Sequence, residues 1–104
     1  MWSLHLLNTR AMGPANTLAG LQAGITHFDA SLGGIGGCPF IPGATGNIAT
    51  EDLVHMLHEM GIETGINLDV LLREGRKLRL IVGHDLESQV ARTGKADTLH
   101  ALME

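Results

Sequence analysis

The segment Gly33-Gly-Ile-Gly-Gly-Cys-Pro-Phe-Ile-Pro-Gly-Ala-Thr-Gly-Asn47 constrains the fold more than any other part of the chain. It gathers Gly33, Gly34, Gly36, Gly37, Gly43 and Gly46 out of 14 glycines, Pro39 and Pro42 out of 3 prolines, and Cys38, the only cysteine in 104 residues. No helix or strand interior tolerates that density of glycine and proline, so the stretch is a shaped loop. Its glycines admit positive φ and a close approach of backbone to a ligand, and the prolines remove freedom on either side of a lone thiol. The loop ends directly before an amphipathic helical pattern, where unpaired N–H groups can receive an anion or a carbonyl oxygen. A solvent-exposed linker is the bland alternative, and composition alone leaves the two open.

Before the loop, Trp2 to Leu7 is a short apolar run suited to a buried strand. Asn8 to Pro14 turns the chain, a helix is predicted over Ala15 to Ala23, and Gly24 stops it. Ile25 to Leu32 is a second strand by alternation, with Thr26, Phe28 and Ala30 on one side and His27, Asp29 and Ser31 on the other. Strand, helix and strand in about 30 residues make a βαβ unit with parallel strands.

After the loop, Leu53, Met56, Leu57 and Met60 fall at helical spacing, with Glu51 and Asp52 in the first turn, where they favour the positive end of the helix dipole. Gly61 ends that helix. Asn67 is placed to cap another, running to about Val82 with Gly75 as a weak point. A short helix is expected near Leu86 to Ala91, followed by about a dozen mobile residues. Residues 1–82 thus form the main unit and 83–104 an extension.

Hydrophobic residues at 44% and charged residues at 17% indicate a globular protein. A net charge of −4 gives no reason to expect nucleic acid or an anionic membrane as partner. No apolar run approaches the roughly 20 residues that span a bilayer, and the amino end lacks the basic and long apolar regions of a secretory signal. One cysteine cannot close an internal disulfide, which suits a reducing, cytoplasmic setting.

The string from Gly36 to Leu53, Gly-Gly-Cys-Pro-Phe-Ile-Pro-Gly-Ala-Thr-Gly-Asn-Ile-Ala-Thr-Glu-Asp-Leu, closely resembles the cysteine loop of hydroxymethylglutaryl-CoA lyases. Asn8-Thr-Arg-Ala-Met-Gly13, Phe28-Asp-Ala-Ser-Leu-Gly-Gly34 and Gly61-Ile-Glu-Thr-Gly-Ile66 are similar to other stretches of that family, in the same order. The resemblance implies an α/β fold, a fragment of a TIM (β/α)8 barrel holding its last two parallel strands, their helices and the carboxyl-terminal helices. It implies metal-assisted cleavage of a carbon–carbon bond in an acyl-CoA, giving acetoacetate and acetyl-CoA. Cys38 is then the proton donor to the departing enolate, and Gly36, Gly37, Pro39, Gly43 and Gly46 shape the loop around it. The cofactor implied is a divalent cation, Mg²⁺ or Mn²⁺, with His5 and Asn47 as its ligands. Leu7 stands where the family has a second histidine, and because positions two apart on a strand share a side, it puts a hydrocarbon where a nitrogen is needed.

A complete barrel needs eight strands and typically about 250 residues. This chain is therefore expected either to be completed by a complementing barrel fragment or to be a non-catalytic remnant that forms a homo-oligomer through open sheet edges. His55 and His58 have the spacing of a metal pair on a helix, but a solvated helix face is the favoured reading. Asp29 faces either the barrel interior or a structural hydrogen bond.

Overall fold

In the computed structural model, residues 2–36, 46–83 and 86–94 are described. Cys38, Gly37, Pro39 and Gly43 lie outside the described residues, as does the tail after Gly94. The elements follow the expected order. Strand β1 is Ser3–His5, α1 is Gly13–Gln22, β2 is His27–Asp29, α2 is Thr50–Glu59, α3 is Leu68–Val82 and α4 is Gln89–Thr93. The strands are shorter than the sequence pattern suggests, because each keeps ladder pairing only where it faces the other.

Strands β1 and β2 pair in parallel, with Ser3 opposite His27, Leu4 opposite Phe28 and His5 opposite Asp29. Beyond the ladder both strands meet the far end of the glycine loop. Leu7 forms an antiparallel bridge with Asn47, and Ser31 a parallel bridge with Ala49. The loop thus returns between the carboxyl ends of the two strands and runs straight into α2.

The two faces of the sheet differ in chemistry. Leu6, Phe28 and Ala30 pack with Leu21 and Met56 against the buried cluster Ile48, Leu53 and Leu57. A Cβ placed on Gly20 of α1 would lie 3.2 Å from the Phe28 ring, so the helix backbone sits close over the sheet. Alternation then turns His5 and Asp29 to the face away from the helices. That side is open, and the two side chains are 60% and 65% exposed.

A second cluster joins α2, α3 and α4 through Val54, Leu68, Leu72 and Val90. Helix α3 starts as its sequence predicts, with the Asn67 side chain accepting from Val70 N at 3.2 Å, and ends at Gly83 in the left-handed region. Gly75, the expected weak point of α3, lies at a close contact. It is buried against α2, and a Cβ there would come within 2.9 Å of a Glu51 carboxylate oxygen, so a glycine is what allows the contact.

Candidate active site

The site grows from the two stems of the glycine loop. The incoming stem begins at Gly33, whose φ of 67° is open to glycine with little cost. Its N–H donates to both carboxylate oxygens of Glu51, at 2.8 and 3.0 Å. Its carbonyl accepts from Glu87 N at 3.0 Å. The outgoing stem is fixed to β1, with Asn8 N donating to Gly46 O and Ile48 N donating to Leu6 O, both at 3.1 Å. The stems press on each other at Gly46, where any Cβ would collide with the carbonyl oxygens of Gly34 and Gly36.

Asn47 links the stems through its side chain, since Nδ2 donates to Ile35 O at 3.0 Å. Among the described residues Asn47 Oδ1 accepts no hydrogen bond. Between the stems lies a cleft of about 310 Å³ lined by Gly33, Gly34, Ile35, Gly36, Gly46, Val82, Leu86 and Glu87.

Glu51 is the group that sequence reasoning undervalued. Rather than simply lying near a helix dipole, it is 0% exposed and spends its carboxylate on Gly33. Loss of solvent pushes its pKa up and outweighs the lowering effect of the Gly33 N–H, and the neighbouring Asp52 charge pushes the same way. Asp52 also does more than favour a dipole. Its oxygens accept from Ser88 Oγ at 2.8 Å, Val90 N at 2.9 Å and Gln89 N at 3.0 Å. Two adjacent acids at the start of α2 therefore tie down the loop stem on one side and α4 on the other. The adjacent pair in Thr-Glu-Asp-Leu was visible in the sequence; its partners were not.

The expected ligands are only partly assembled. His5 faces away from the helices, with Asp29 Oδ2 3.7 Å from its Nδ1, while Asn47 pairs with Leu7 at the head of the same strand. Leu7 intervenes on the His5 face, as alternation requires. Among the described residues no group of three or more His, Cys, Asp or Glu could hold a metal ion. Among the described residues, His5 and Asn47 alone are too few for the octahedral oxygen-rich coordination of Mg²⁺. His55 and His58 are not a metal pair: His55 lies 3.7 Å from Glu59 and His58 contacts Thr64 Oγ1 at 2.9 Å. No helix among the described residues is long and apolar enough to cross a membrane.

The stems of a glycine-rich loop held at the carboxyl ends of two parallel strands fit the barrel class that the sequence resembles. Residues 1–77 match the family model described as HMGL-like, and the chain belongs to that family. It is 51% identical over 92 residues to the (R)-citramalyl-CoA lyase of Chloroflexus aurantiacus, a match covering 88% of this chain and 29% of that protein. It is 45% identical over 89 residues to the mitochondrial hydroxymethylglutaryl-CoA lyase of Homo sapiens, covering 86% of this chain and 27% of that one. Among solved structures, an HMG-CoA lyase from Acinetobacter baumannii in complex with coenzyme A and 3-methylmalate superposes with a TM-score of 0.88 at 53% identity, over 94% of this chain and 32% of that chain. The fold is thus a fragment of a TIM barrel, its last two parallel strands with their helices, and the chain spans less than a third of the relatives it matches.

Proposed function

We propose that this chain supplies the cysteine-loop part of the active site of a lyase that cleaves a carbon–carbon bond in a 3-hydroxy-3-methyl acyl-CoA. Hydroxymethylglutaryl-CoA and citramalyl-CoA share a tertiary hydroxyl on the carbon β to the thioester. In the reaction a base takes the hydroxyl proton, the oxygen forms a carbonyl, and the bond between the α and β carbons breaks. The electron pair stays on the α carbon as the enolate of acetyl-CoA, and the Cys38 thiol donates the proton that completes it. Acetoacetate or pyruvate is the second product.

The observation that carries this reading is the double anchoring of the loop stems, by Glu51 on one side and by Asn8 and Leu6 on the other, at the carboxyl end of β1 and β2. In barrels of this class that end bears the chemistry. The base and the remaining ligands must come from the rest of a barrel, which makes a complementing polypeptide the expected partner. His5 and Asn47 are the residues this chain would offer to a divalent cation, but they do not make a site alone. The isolated chain is expected to bind Mn²⁺ weakly, and a titration giving micromolar affinity would refute that.

The test is release of acetoacetate from hydroxymethylglutaryl-CoA, and of pyruvate from citramalyl-CoA, by the chain mixed with a polypeptide carrying the other strands of an HMGL-like barrel, with Mg²⁺ or Mn²⁺. Turnover that disappears in Cys38→Ala supports the reading. A folded, stoichiometric complex without turnover counts against it. Leu7 and the open edges of the two-stranded sheet favour a second reading, a non-catalytic chain that self-associates through those edges. Light scattering after size exclusion distinguishes it, since a compact monomer would exclude edge pairing between copies.

A further inference from the structure

The chain is strained where it leaves β1. Arg10 and Ala11 both have a φ of 57°, and among the described residues they are the only ones other than glycine with positive φ. An L side chain disfavours that region because its Cβ crowds a carbonyl oxygen, and two such residues in a row are costlier than one. Both side chains are exposed, so burial does not hold them there.

Asn8 does. Its carbonyl accepts from Ala11 N at 2.8 Å and closes the turn. Its side-chain Oδ1 accepts from Gly13 N at 3.1 Å and fixes the far end of the same segment. Helix α1 receives no side-chain cap from Met12, the residue before it, and Asn8, five residues back from Gly13, supplies that acceptor instead. Thr17, 0% exposed, secures the first turn of α1 from within, its Oγ1 donating to Gly13 O at 2.9 Å.

The same residue meets the glycine loop. Asn8 N donates to Gly46 O at 3.1 Å, directly before Asn47. Helix α1 also abuts this outgoing stem, since a Cβ on Gly13 would stand 2.9 Å from Asn8 Oδ1 and 3.3 Å from Ile48 Cδ1. Asn8 thus bonds the stem with its N–H, the strained turn with its carbonyl and the start of α1 with its side chain. Only the third bond depends on residue type. Without it the turn can relax toward ordinary φ, and the N–H that holds Gly46 belongs to the first residue of that turn.

We propose that Asn8 is a positioning residue for the loop: its side chain keeps the strained turn closed and thereby holds the outgoing stem, with Asn47, at the carboxyl end of β1. That the loop so held is catalytic rests on the functional reading above; the hold itself does not.

The test uses the full chain. In Asn8→Ala, its fold checked by circular dichroism, hydrogen exchange at the amides of residue 8 and Ile48 is expected to be about tenfold faster, the scale of one lost neutral hydrogen bond. The side-chain amide resonances of Asn47 are expected to move with it. Asn8→Asp keeps an acceptor in place and is expected to restore both signals. Faster exchange confined to the first turn of α1 would make Asn8 a helix cap only and overturn the proposal, as would a failure of Asn8→Asp to rescue.

Ala11→Gly tests the strain independently of any loss at Asn8. Glycine adopts positive φ freely, so the urea midpoint is expected to rise. A lower midpoint would show an unstrained turn that needs no holding, and would also overturn the proposal. With a complementing polypeptide, Asn8→Ala is expected to lower kcat while KM stays within about twofold; an unchanged kcat would overturn the role in the reaction. A wild-type complex that never turns over counts against the functional reading instead, and leaves the exchange and midpoint results standing.

Discussion

The two faces of the β1–β2 sheet are built from alternate residues of the same short strands, yet they do opposite things. On the helix side Leu6, Phe28 and Ala30 meet Ile48, Leu53 and Leu57 in a closed apolar cluster. On the other side His5 and Asp29 stand largely in solvent. The first face holds the fragment together. The second is polar and exposed, and an exposed pair of this kind is expected to add little to stability. A period of two separates the face that stabilises from the face offered to chemistry.

The sharpest way to break that comparison is to cut into the packed face. Leu57→Ala removes a side chain only 8% exposed and is expected to lower stability by about 2–5 kcal/mol, read as a drop in the urea midpoint. If Leu57→Ala costs no more than a surface change, the helix-side cluster is not what holds the chain.

Glu51→Ala comes next, since it leaves the buried Gly33 N–H without an acceptor; a loss of about 1–3 kcal/mol is expected. Glu51→Gln keeps an acceptor and separates hydrogen bonding from charge. Because burial raises the folded-state pKa of Glu51 above its ordinary 4.5, the folded state holds its proton to higher pH than the unfolded state does. Its contribution therefore declines as pH rises through and above 4.5. The stability difference between the wild type and Glu51→Gln should shift against the wild type across that window. A difference that stays flat from pH 4 to 7 would mean that Glu51 titrates normally.

Asp52→Ala removes three hydrogen bonds to the start of α4. The expected cost is about 1 kcal/mol, the scale of a lost cap, with faster amide exchange confined to residues 88–94. Exchange that accelerates equally in α1 would show that α4 is not a separate attachment. The smallest effect belongs to the open face: His5→Ala should change stability by no more than about 0.5 kcal/mol. A large loss there would erase the contrast between the faces.

Much of the fold was legible because local chemistry and tertiary structure agree. The apolar stripe of α2, the Asn67 cap of α3 and the alternation of β2 each follow from spacing that any neighbour would exploit. The strands were overextended in prediction because an apolar run does not reveal where its partner stops. The site was half legible. Motif and loop composition pointed to the stems, and His5 and Asn47 could be named from the resemblance. The partners of Glu51 and Asp52 could not, because they lie 18 and 36 to 38 residues away and no local pattern encodes such a distance.

By itself the sequence determined the family, the βαβ order, the helix boundaries near Asn67 and Gly83, and the presence of a loop that no regular element could absorb. Only the tertiary structure decided that Gly75 packs against the buried Glu51 carboxylate, that Gly46 is pressed between two carbonyls, and that two adjacent acids face different elements. The physical reason is range. Propensity and periodicity act over a few residues, whereas burying a carboxylate or closing a loop depends on which distant backbone groups the fold brings within hydrogen-bond reach.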